Sequence, residues 1–254
     1  MKIDRVTVTG ADDSVENIEE LRDIQQEFPF VEWGILLSSS SAGTNRFPSE
    51  EWIGKLVAGH GDIKEDLRFK LAGHICGKWI REICTGEWTI FEAGLKGTGH
   101  GQIGYFDRLQ LNWHGEKRTM TEGWLAKFKL WNESRNKYEL NEVQLIFQLD
   151  GVNNHLLQEA LDEGLSASGL IDGSHGAGVL PEDKWPVPFE GAYTGYAGGL
   201  GPHNLEEQLH KIADVCGDKP IWIDAETHLR SDDDKTFDLQ KVRQFLEIAK
   251  PWVT

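Results

Sequence analysis

The segment GLIDGSHGAGVL, Gly169–Leu180, ends a short apolar run on Asp172 and then turns through small residues around His175, with Gly176 and Gly178 beside it. A glycine cluster alone marks a tight turn. An acid at its edge adds a group that can exchange protons. Further on, AGGLGPHN, Ala197–Asn204, sets Gly198, Gly199 and Gly201 directly before a strongly helical stretch. Glycines there let the backbone approach an anion, and a helix N-terminus adds donors and a favourable dipole. The two segments together read as acid–base chemistry beside a phosphate-holding turn. His74 and Cys76 in AGHICG, and Asp150 in QLDG, are further groups able to take a proton. A metal site could be assembled from His74, Cys76, Asp150 and His114, but no ligand spacing supports it, so neither metal nor cofactor is expected. The GTGHG run, Gly97–Gly101, lacks the GK[ST] ending of a nucleotide loop and reads as a mobile loop or lid.

Such residues need a frame, and the hydrophobic pattern supplies one. Strand-like runs at Arg5–Gly10, Val31–Ser38, Leu67–Ile75, Phe106–Trp113, Asn141–Gly151, Ser168–Gly173, Gly191–Gly199 and Pro220–Glu226 alternate with helical stretches. Ser49 followed by Glu50 and Glu51 is a helix start. After the sixth strand, PEDKWPVPFE is too rich in proline for a helix. Eight strand–helix units in 254 residues fit one (β/α)8 barrel, residues 1–254, with no linker composition to divide it. A doubly wound sheet is the alternative, though it usually needs fewer strands. In a barrel, chemistry sits at the C-terminal strand ends. Asp172 then ends strand six, and Gly198–Gly201 follow strand seven.

Composition narrows the function. With 39% hydrophobic residues, ten Trp and eleven Phe, the chain can fill a core. A net charge of −16 argues against nucleic acid or an anionic membrane as partner. No apolar run is long enough to span a bilayer, the N-terminus lacks a signal core, and the three cysteines are sparse. These features predict a soluble cytoplasmic protein, monomer or homodimer being left open, and they leave room for a small anionic ligand.

At LIDGSHGAG and AGGLGPHN the chain resembles the phosphoribosylanthranilate isomerase family, most strongly over residues 166–254. LQLNWHGE, TNRFPSEEW and the closing DKTFDLQKVRQFLEIAK are similar to further family segments. The resemblance implies an Amadori-type aldose–ketose isomerisation of a phosphoribosylamine, with Asp172 as general acid. It implies that Gly176, Gly178, Gly198 and Gly199 shape a phosphate cup, with His175 beside the substrate. Arg46 matches an arginine that pairs with a substrate carboxylate, a task for a planar guanidinium. Two departures stand out. Thr9 occupies the place of the family's cysteine base, and a hydroxyl is a poor base. The strand-eight loop reads Asp224-Ala225-Glu226-Thr227-His228, so Asp224 is retained but Glu226 and His228 replace small residues. A catalytically lapsed phosphosugar binder, or another isomerase or lyase using Asp172 with Glu226 or Asp150, are the alternatives.

Overall fold

The computed structural model describes residues 1–58, 68–91, 103–113, 117–135, 142–172, 174 and 177–254. Eight parallel strands close into a barrel in the order β1 to β8. They are β1 (Lys2–Thr9), β2 (Val31–Leu37), β3 (Leu71–Ile75), β4 (Arg108–Leu111), β5 (Gln144–Leu149), β6 (Ala167–Ile171), β7 (Tyr193–Tyr196) and β8 (Pro220–Ala225). Strand β1 closes the ring by pairing with both β2 and β8, with Thr7 opposite Glu32 on one side and Asp224 on the other.

Side-chain alternation divides the strands between two cores. Outward-facing Trp33, Ile35, Leu37, Leu109, Phe147 and Ile223 belong to a large apolar cluster shared with the helices. A second, small cluster of Ile146, Leu170, Ala197 and Trp222 fills the barrel interior. Buried on both faces, such strands carry near-continuous apolar runs. The exceptions are the inward polar residues, and these build the site. Glycine makes room for inward side chains of both kinds: a Cβ on Gly34 would lie 1.9 Å from Thr9 Oγ1, and one on Gly195 would lie 2.1 Å from the apolar Trp222 ring.

The floor of the barrel is charged and satisfied. Glu32, fully buried, accepts from Arg108 Nη1 at 3.0 Å, Arg5 Nη1 at 2.7 Å and Thr7 Oγ1 at 2.8 Å. Arg108 also donates to Ser168 and Gln144 and stacks 4.1 Å over the Trp222 ring. Burial opposes ionisation of Glu32, but the two guanidiniums prevail and hold its carboxyl below the usual range.

Seven α-helices lie outside the barrel among the described residues, and none of them falls between β6 and β7. There the proline-rich segment covers the sheet instead. Trp185 donates to Gln208 and packs edge-on against Tyr196, whose hydroxyl donates to the Pro186 carbonyl. The helix Glu50–Val57 starts as its sequence predicts: Ser49 Oγ accepts from Trp52 N at 3.2 Å. Ser49 also donates to Asp13 through both N–H and Oγ, tying this helix to the loop after β1. Ser49→Ala removes the cap and one of these bonds. We expect about 1–2 kcal/mol of lost stability in urea unfolding; an unchanged midpoint would deny the cap its role.

Candidate active site

The C-terminal strand ends surround a cavity of ≈ 180 Å³ that reaches into the barrel. Leu36, His74, Cys76, Gln110, Asn112 and Gln148 line one half of it. Asp172, Gly198, Gly199, Asp224, Glu226 and His228 line the other. Pocket and strand ends coincide, as enzyme barrels require.

Asp172 follows β6 and is firmly held. Its Oδ1 accepts from Ser174 N–H at 3.1 Å and Oγ at 2.7 Å, and its Oδ2 from Gln148 Nε2 at 3.1 Å. Gln148 is itself oriented, since its Oε1 accepts from Trp113 N–H at 3.0 Å.

The glycine turn after β7 lies directly beside Asp172, since a Cβ on Gly198 would lie 3.2 Å from Asp172 Oδ1. Gly198 and Gly199 have φ of 104° and 71°, a region that L side chains rarely adopt. Among the described residues, the N–H groups of Gly198, Gly199 and Leu200 have no hydrogen-bond partner. Asn204 does not cap the helix Leu205–Cys216 by its side chain. It braces the turn instead, accepting from Gly201 N–H at 2.9 Å and donating to the Gly199 carbonyl at 2.8 Å. One side of the turn is packed tightly: a Cβ on Gly199 would lie 2.6 Å from the Leu180 nitrogen. A Cβ on Gly178 would lie 3.0 Å from Thr227 Oγ1, so the loops after β6, β7 and β8 meet here. His175 and Gly176 lie outside the described residues, as do His114 and the Gly97–Gly101 loop.

Arg46 reaches the cavity but is already engaged. Its guanidinium donates to Glu226 Oε1 at 2.5 Å and Asp234 Oδ2 at 2.6 Å. Its backbone has a φ of 59° and its N–H donates to Asp12 at 2.8 Å. Asp12 and Asp234 also bind buried Arg230, so these charges lace together the loops after β1, β2 and β8. Glu226 lines the cavity, and burial outweighs Arg46 in raising its pKa.

Thr9 lies beneath the cavity and does not line it. Its hydroxyl donates to Asp224 Oδ1 at 2.7 Å, and His74 Nε2 stands 3.5 Å from that hydroxyl and 3.8 Å from Asp224 Oδ2. Burial pushes Asp224 up to about 8 and His74 down to about 4, so each favours its neutral form. Sequence reading named all three residues without bringing them together. A signal was available: polar residues at alternate positions of otherwise apolar strands must face the barrel interior.

The remaining proton acceptors separate from the site. Burial raises the Cys76 thiol to about 12 even though Asn112 Nδ2 donates to its sulfur at 3.2 Å, so it is no ready thiolate. Asp150 caps its own loop through Val152 N–H, Asn153 N–H and Asn153 Nδ2, and it lines a different groove. The set His74, Cys76 and Asp150 is therefore not gathered around one point. Among the described residues no group of three or more His, Cys, Asp or Glu is arranged to hold a metal ion, and no helix is long and apolar enough to cross a membrane.

The fold and cavity define a closed (β/α)8 barrel with an acid-lined mouth. Among solved structures, the chain is similar to monomers generated from the dimeric phosphoribosylanthranilate isomerase of Thermotoga maritima. The TM-score is 0.50 at 17% identity, over 98% of this chain and 99% of the other. At that identity the likeness speaks for the fold. No family model and no curated protein matches the sequence.

Proposed function

We propose that this barrel is an aldose–ketose isomerase of the phosphoribosylanthranilate isomerase type, acting on a phosphorylated ribosylamine without a cofactor. One observation carries the reading: Asp172, fixed by Ser174 and Gln148, shares a cavity with a glycine turn whose amides are unpartnered among the described residues. Asp172 would protonate the sugar ring oxygen as the C1′–O bond breaks, leaving a protonated imine between nitrogen and C1′. Loss of the C2′ proton then sends its electron pair into a C1′–C2′ double bond and neutralises the nitrogen. Proton transfer from the C2′ hydroxyl to C1′ completes the ketose, with no net change in atoms or electrons.

The phosphate would sit against Gly198 and Gly199, where the dipole of the 12-residue helix Leu205–Cys216 favours an anion. Arg46 would meet a substrate carboxylate only by exchanging one of its present partners, Glu226 or Asp234. That engagement favours a second reading, a phosphosugar binder without turnover.

Loss of phosphoribosylanthranilate fluorescence decides between the readings. At neutral pH and high protein concentration, we expect the purified chain to consume the substrate. A protein that turns nothing over, yet is stabilised against heat by phosphosugars, would be the binder.

A further inference from the structure

The isomerase reading leaves the C2′ proton without an acceptor, because strand one carries Thr9 where the resembled family has a cysteine. Resting on that reading, we infer that Asp224 on β8 is the proton-accepting base, with Thr9 as its positioning residue. Barrel closure supplies the geometry. β1 pairs directly with β8, and Thr9 grips Asp224 Oδ1 at 2.7 Å. The carboxyl group thus lines the cavity next to where a side chain from β1 would act, while Thr9 stays below. Gly34 is part of the device, since any Cβ there would collide with the Thr9 hydroxyl.

The surroundings suit a base. Glu226 just past the same strand, Glu32 on β2 and Asp172 just past β6 all raise its pKa, after burial itself, while the Thr9 hydrogen bond lowers it. His74 on β3 stands 3.8 Å from Oδ2 and is held neutral; the inward side of β7 and its end carries Tyr193, packed on Trp222, then Gly195 and Ala197. Among the described residues no Lys or Arg bonds to Asp224. A carboxylate whose conjugate acid has a pKa near the working pH is a far stronger acceptor than an ordinary one. In the reaction, the C2′–H bond breaks as the Asp224 O–H bond forms, and the electron pair stays on carbon to build the C1′–C2′ double bond.

The test combines activity with a titration that needs no substrate. Asp224→Asn should lower kcat/KM by about 10²-fold or more. For the wild type, kcat/KM should rise with pH up to a plateau near the pKa of Asp224. In Thr9→Val the loss of a hydrogen bond to the carboxylate should move that limb to higher pH. A rate that falls with pH through the same range would make Asp224 the donor and overturn the assignment, as would an Asp224→Asn enzyme within about threefold of wild type. In parallel, carbonyl-13C NMR of aspartate-labelled protein follows Asp224 directly, identified by its absence in Asp224→Asn. Titration in the ordinary carboxylate range overturns the inference whatever the activity. A high titration point in a wild type that turns nothing over condemns the isomerase reading instead.

Discussion

Asp172→Asn lowers kcat/KM on a phosphoribosylamine by about 10²–10⁴-fold, the usual contribution of one general acid, and leaves the barrel folded. The amide matches the carboxyl in shape, and its oxygen can still accept both Ser174 bonds seen at Oδ1. Its nitrogen then faces Gln148 Nε2, donor against donor. Gln148 cannot simply flip, because its Oε1 accepts the Trp113 N–H. That clash should cost about 1–2 kcal/mol, or a few degrees of Tm in a chain of this size. Activity and stability are thus affected on different scales. Circular dichroism and thermal unfolding should be near wild type while turnover collapses. A variant that keeps turnover within about threefold would remove Asp172 from the mechanism, however well it folds.

The frame of this site was legible in the chain; its convergence was not. Eight alternations gave the barrel, the order of segments put Asp172 after β6 and Gly198–Gly199 after β7, and prolines at 181, 186 and 188 foretold the missing helix. All of these are local patterns, read within a few residues. Thr9, His74 and Asp224 meet across separations of 65 and 215 residues, and only closure of the ring brings β1 beside β8. Arg46 is similar. Sequence offered a loop arginine for a substrate carboxylate, whereas folding supplies Glu226 and Asp234 from positions 180 and 188 residues away. Spacing along the chain carries no record of such pairs.

Stability should record how Asp224 is used. Two buried inward carboxyls share the barrel and fare oppositely. Glu32, with Arg5 and Arg108, is held ionised; Asp224, with the Thr9 hydroxyl, is pushed from 3.8 to about 8. A raised folded-state pKa means that the folded protein holds the proton longer than the unfolded chain. The stabilisation is full below the unfolded value of 3.8 and is lost as pH climbs to about 8. His74 works the other way: pushed from 6.5 to about 4, it adds stability as pH rises between those values. The two nearly cancel in acid, so the Asp224 loss should show by itself above the ordinary histidine range. Glu32, with a lowered pKa, loses its contribution only in stronger acid and adds no slope near neutrality. Asp224→Asn keeps the Thr9 bond and cannot ionise. It should therefore match wild type near pH 4 and exceed it near pH 9 by about 2–5 kcal/mol, at roughly 1.4 kcal/mol per pKa unit less relaxation. Urea unfolding of both proteins across that range measures the gap, and other titrating groups largely subtract out. A variant more stable and less active than its parent is the mark of a carboxyl kept for chemistry at a cost to the fold. A gap that stays flat with pH would mean that Asp224 titrates as if solvated, and the proton would need another acceptor.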